Sequence, residues 1–191
     1  MNPSTHLLIG WLVANSVPIN RRERLAVTLA AVSPDIDGIG YIAERLTADS
    51  PNRLWWFTDY HHLLHNLLFG VIVAVVCFSM VGPGPGRRWG IAALGFLNFH
   101  LHLLCDLAGS RGPDGYQWPI PYFSPFTDWE WTWSGQWALN AWPNVAITIG
   151  ALACTFYLAW KRGYSPLEMV SKKADLKLVE TLRTRFPHPP G

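Results

Sequence analysis

The chain is 191 residues long, half of them hydrophobic and only 15% charged, against the ~25% charged residues usual in soluble domains; that length suits one domain with a real core. A formal charge of +2, with no Lys/Arg run interleaved with aromatics, excludes nucleic acid as the expected partner. Cys77, Cys105 and Cys154 lie singly in apolar runs, so no CxxC pair or disulfide framework forms and each reads as a small core hydrophobe.

The chain opens on MNPSTHLLIGWLVANS, which lacks the positively charged start of a signal peptide. Five apolar segments follow, over residues 6–17, 25–32, 67–82, 89–107 and 143–160. A membrane-crossing helix needs about 20 residues. The first two are too short to cross alone, the third is marginal, the fourth is long enough and the fifth is borderline. A soluble helical bundle therefore stays compatible with the segment lengths. The second segment runs into SPDID, YHHLLHN precedes the third, and the fourth ends in HLHLLCD.

A long loop over residues 108–142 contains GPDGYQWPIPYFSPFTDWEWTWSG. So many aromatics argue against disorder, and loops of this length are usually functional. It reads either as a lid above a site or as an interfacial aromatic belt. The tail starts with SPLE, a capping box with proline at the first helical position. Val170, Ala174, Leu178 and Leu182 then recur every four residues, with Lys172, Lys173 and Lys177 among them. That pattern predicts a basic amphipathic helix on the cytoplasmic membrane surface. FPHPPG, with His188, ends the chain as a solvated stretch.

The charges favour a membrane bundle. Arg21, Arg22 and Arg24 follow the first segment, Arg87 and Arg88 separate the third from the fourth, and Lys161 and Arg162 close the fifth. In antiparallel hairpins all three clusters fall on one side, which the positive-inside rule makes cytoplasmic. His6, Asp35, Asp37, His61, His65, His102 and Asp106 then gather at the opposite ends of the segments.

His61 and His65 are four apart, so on a helix they share one face with Cβ atoms ~5–6 Å apart, as in other helical His-x-x-x-His metal sites. His102 and Asp106 repeat that spacing. Asp35 and Asp37 follow Pro34, which ends the preceding helix, and sit in a turn where two carboxylates can converge on a cation. Their alternative is to cap a helix starting near Gly38. His6 adds an imidazole from the first segment. His62, three before His65, is an alternative to His61, while His100 points away from His102 and suits packing. Asp59, Asp114, Asp128 and Glu130 are nearby candidates for a general base or a further ligand; Asp114, in PDG, is also a good turn residue. Imidazole and carboxylate donors without a usable thiolate suit Zn²⁺, with Mn²⁺ or Fe²⁺ as alternatives. Seven candidates exceed what one tetrahedral ion needs, which points to two or more ions, an arrangement that clamps both oxygens in phosphoester hydrolysis.

THLLIGW, SPDID, HHLLHN and HLLCDLAGSRGPDGYQWPIPYFSPF, in this order over roughly residues 3–126, resemble the bacterial membrane-bound metal-dependent hydrolase family, which has inner-membrane, LexA-regulated-type relatives and is distantly similar to zinc-dependent phospholipase C. The resemblance implies an all-helical inner-membrane protein with a metal-dependent site at the matching positions His6, Asp35, Asp37, His61, His65, His102 and Asp106. Family members often carry His-Arg and then Thr-His-Ser; here the stretch is HHLLHN, with Asn66 where serine is common, so His61 and His62 remain alternatives.

The expectation is an all-α, polytopic membrane bundle with short helices, a Trp-rich loop and a basic amphipathic C-terminal helix. Residues 1–162 would be membrane-embedded, and residues 163–191 a cytoplasmic tail. Its site, near the periplasmic face of the bacterial inner membrane, would hydrolyse a phosphoester or other ester of a lipid-like substrate through metal-activated water. Asp35 or Asp37 would act as general base, and membrane lipids would be the partners. A non-catalytic membrane protein with structural metal ions is the alternative.

Overall fold

The structure, a computed structural model, describes residues 1–56, 61–82, 84–112 and 115–187. Among them the chain is all-helical: α1 (Pro3–Ala14), α2 (Arg21–Ala30), α3 (Gly40–Leu46), α4 (Leu67–Met80), α5 (Pro85–Gly109), α6 (Trp142–Arg162) and α7 (Lys172–Arg185), with 3₁₀ turns at Ser33–Ile39 and Pro166–Met169. Asp59, Asp114 and His188 lie outside the described residues.

Local chemistry sets the helix starts. The Asn2 side chain accepts from Thr5 N at 3.0 Å, with Pro3 opening α1. Asn20 and Glu23 form a reciprocal capping box on α2, with bonds of 2.8 and 3.1 Å. Asn66 caps α4 by accepting from Phe69 N at 2.9 Å, a task serine performs equally well. Pro85 and Pro143 stand in the first turns of α5 and α6. Gly163, at φ +80°, ends α6 in the left-handed conformation.

Helices α5 and α6 are long and apolar enough to cross a membrane, and α2 with the following Ser33–Leu46 makes a third candidate span, bent by 59°. α4 is apolar but shorter, at 14 residues. Exposed Val71, Ile72, Val75 and Val76 on α4, and Ile149, Leu152 and Phe156 on α6, give these helices an apolar outer surface suited to lipid. Successive segments alternate in direction, so that α2 and α5 run parallel, as do α1 and α6. At one end Arg87 donates to both carboxylate oxygens of Glu23 at 2.6 Å, and Arg162 donates to Asn15 at 3.0 Å. At the other, His102 reaches Ala31 and Asn144 reaches Gly109. The basic clusters therefore share one end, as the hairpin reading expects.

Between the two ends Ala26, Val27, Ala30, Val73, Cys77, Phe99 and Leu103 form the core. A Cβ on Gly95 would stand 2.5 Å from Cys77 Sγ, so glycine is what lets α4 and α5 approach here. Cys77 is buried as expected, but Cys154 is exposed on the outer face of α6.

Two local readings are corrected. SPLE does not start a long helix: Ser165 caps only the short 3₁₀ turn, and α7 begins at Lys172 under a separate cap, Ser171. Glu168, instead of closing a capping box, is drawn into a buried bidentate pair with Arg24 at 2.7 and 2.8 Å. The buried stripe of α7 is also displaced, with Asp175 and Val179 inside while Val170 and Ala174 are exposed. Asp175 explains the shift, because it accepts from Ser165 N and Oγ at 2.6 and 2.7 Å.

Candidate metal centre

The end of the bundle opposite the arginines brings all seven sequence-selected residues into one neighbourhood. Asp35, His65, His102 and Asp106 offer ligand atoms that all lie within 4.8 Å of one another, and together could hold a metal ion. His102 and Asp106 project from the last turns of α5, Asp35 from the 3₁₀ turn after α2, and His65 from the segment before α4. Asp35 lies just past the 59° bend between α2 and the Ser33–Leu46 segment.

His102 decides what this cluster needs. Its Nδ1–H donates to Ala31 O at 2.8 Å, which in a neutral ring leaves Nε2 as a lone pair. That nitrogen faces Asp106 Oδ2 at 3.0 Å, His65 Nε2 at 3.4 Å and Asp35 Oδ1 at 3.8 Å. Lone pairs brought this close in a buried site repel unless a proton or a cation lies among them. Asp35 Oδ2 is buried with no hydrogen-bond partner, an arrangement costly in isolation and natural for a metal ligand. The donor set and the backbone-held imidazole both fit a divalent ion.

The other three residues support this group. His6 Nε2 bonds Asp106 Oδ1 at 3.1 Å, and its ring stacks on His102 with centroids 3.8 Å apart. Asp37 accepts from His61 Nδ1 at 2.7 Å and from Leu64 N at 2.9 Å. His65 Nδ1 lies 3.5 Å from Asp37 Oδ2, a charge contact without hydrogen-bond geometry. Burial pulls the His65 imidazole down, but Asp106 and Asp37 outweigh it and hold its pKa up to about 9.

Two expectations about spacing are revised. Residues 61–66 form turns instead of a helix, so His61 and His65 meet by chain reversal, their rings 5.2 Å apart. SPDID does not cap a helix with its carboxylates either: α3 starts at Gly40 with no side-chain cap. His62 is exposed, whereas His61 lines the cavity beside the group. His100 packs elsewhere, bonding Phe96 O at 2.8 Å and Tyr122 OH at 2.9 Å. Asp128 and Glu130 are exposed on the loop.

The cavity measures about 230 Å³ and is walled by Asp35, His61, Asp106, Arg111, Trp118 and Leu139, among others. The loop that roofs it is tied down by Gln136, which donates to Asp106 O at 3.0 Å and accepts from Trp118 N at 2.7 Å. The Met1 ammonium contacts Asp106 and donates to Ser110 Oγ at 2.6 Å. The sequence places the 108–142 loop as a lid or an aromatic belt but singles out none of Ser110, Arg111, Trp118 and Gln136 as wall or tether residues, nor Met1, because irregular segments carry no periodicity to place single side chains.

The YdjM inner membrane protein family matches residues 1–171. The chain belongs to that family. No curated protein and no solved structure matches it. The YdjM description names an inner-membrane location and no reaction, so the hydrolase and phospholipase C likeness drawn from the motifs lies beyond it. The match ends at the cap of α7, so the whole metal-capable group lies inside the YdjM region and the basic tail helix outside it.

Proposed function

We propose that the protein is a membrane-bound, metal-dependent hydrolase acting on a phosphoester or other ester of a lipid-like substrate, with zinc as the metal. The observation that carries the reading is the convergence of His102 Nε2, His65 Nε2, Asp106 Oδ2 and Asp35 Oδ1 beside a cavity. Asp35, His65, His102 and Asp106 would hold the ion. A bound divalent cation supplies Lewis-acid charge and makes hydroxide accessible near neutral pH.

The chain's own residues supply the rest. Ala31 O and Gln136 hold His102 and the Asp106 backbone in place. Asp37 orients His61 at the cavity wall, and this pair takes a proton from the attacking water as the water oxygen bonds the phosphorus or acyl carbon, then returns it to the leaving oxygen as the ester bond breaks. The roof carrying Trp118 limits bulk water. Arginines at the far end orient the site toward the periplasm under the positive-inside rule.

One observation favours a second reading, in which the ion is structural. The four ligand residues come from three separate segments, so an ion there would also tie helix ends together. Metal content per chain, thermal stability and hydrolysis of phospholipid, phosphomonoester and carboxyl-ester substrates, compared between wild type and His65→Ala, separate the two. A catalytic centre gives zinc in the wild type and lost turnover in a folded mutant. A structural ion gives lost stability and no turnover in either, and absence of metal after reconstitution overturns both.

A further inference from the structure

The metal-capable group is rich in carboxylate, so an anionic substrate needs a second cation to be welcome beside it. The Met1 ammonium in the wall is already engaged by Asp106 and Ser110, and Arg111 is a second cationic wall residue. It lies just beyond the end of α5 and lines the cavity together with Asp106, Ser110 and Trp118. Its backbone is clamped on both sides: its N–H donates to Trp137 O at 3.1 Å, and its carbonyl accepts from Leu139 N at 3.0 Å. The neighbouring Gly112 N–H donates to Tyr116 O at 2.8 Å. The roof of the site therefore fixes where this side chain starts. Its planar five-donor fork matches phosphoryl oxygens better than a lysine would. The remaining wall, Trp118 and Leu139, is aromatic and aliphatic.

We propose that Arg111 is the anion-binding residue of the cavity, its guanidinium receiving the phosphoryl group of an ester whose apolar portion lies along Trp118 and Leu139. The inference rests on the metal-dependent hydrolase reading and selects the phosphoester from the wider ester class. Arg111 binds the ligand and contributes nothing to holding the metal, so the two roles separate in an experiment.

The test uses the full chain, purified in detergent and reconstituted with zinc, with inorganic phosphate as the probe. Equilibrium dialysis of radiolabelled phosphate and zinc per chain are measured on wild type, Arg111→Gln and Arg111→Lys. The expected result is unchanged zinc in all three, phosphate affinity at least tenfold weaker in Arg111→Gln, and an intermediate loss in Arg111→Lys. Equal phosphate affinity in wild type and Arg111→Gln, or a zinc-loaded wild type that binds no phosphate, overturns the assignment and leaves the metal reading standing. A wild type without zinc sinks the metal reading, and Arg111 then stands or falls on whether phosphate binding still depends on it. Should Arg111→Gln lose its thermal transition, the Arg111→Lys comparison decides, since it keeps the charge and removes only the fork.

Discussion

Binding of a divalent ion at this centre must be strongly proton-coupled, because His65 has to lose a proton to become a ligand. In the metal-free protein its pKa stands at about 9, against an ordinary 6.5, held there by the carboxylates of Asp106 and Asp37. At pH 7 the imidazolium then outnumbers the neutral ring by about 100 to 1. Zinc bound at the proposed centre would displace that proton, so its apparent affinity should rise about tenfold per pH unit, or about 100-fold between pH 6 and pH 8, and level off above pH 9. Stability runs the other way without metal. A histidine whose pKa is raised on folding contributes fully below pH 6.5 and loses that contribution as pH climbs through 9. The melting temperature of the apo protein should therefore fall over that window while that of the zinc-loaded protein holds or rises. Competition titrations with a zinc chelator of known pH dependence, with differential scanning fluorimetry on the same samples, read both slopes. A zinc affinity that does not change from pH 6 to pH 8, or an apo melting temperature flat to pH 9, would refute the argument.

The Arg24–Glu168 pair should matter to the tail more than any exposed ion pair. Both side chains are buried, so Glu168→Ala should destabilise by about 3–5 kcal/mol, and adding Arg24→Met should restore most of it; limited proteolysis after residue 165 and detergent melts measure both. At the α4–α5 contact, Gly95→Ala should cost about 1–3 kcal/mol by overpacking against Cys77 Sγ. Cys77→Ala in the same chain should recover part of the loss, and a melt of the double mutant no better than the single one would show that the contact is not what limits packing.

Much of this was readable in the sequence because two signals are local and strong. Runs of apolar residues mark the helices, and the placement of Arg21, Arg87 and Arg162 fixes which ends share a face. With that done, His6, Asp35, His65, His102 and Asp106 fall together even though they are distant along the chain. What spacing misjudged was the local backbone at two places. His61 and His65 meet through turns, and Asp37 serves the histidines instead of a helix cap, because tertiary partners outbid local capping in a buried site. SPLE failed for the same reason: Glu168 found Arg24, a partner 144 residues away that no local motif announces. Arg111, Trp118 and Gln136 were hidden because the contacts that place them run across an irregular loop, where residue order says little about direction.

The apolar core between the two ends of the bundle has a consequence for traffic. Val27, Ala30, Val73 and Phe99 are buried between the carboxylate end and the arginine end, and carrying a bare ion through such a layer is prohibitively expensive. Under the proposed reading, whatever the centre binds would enter and leave on the side where the group lies, and its occupancy would follow the conditions of one aqueous compartment.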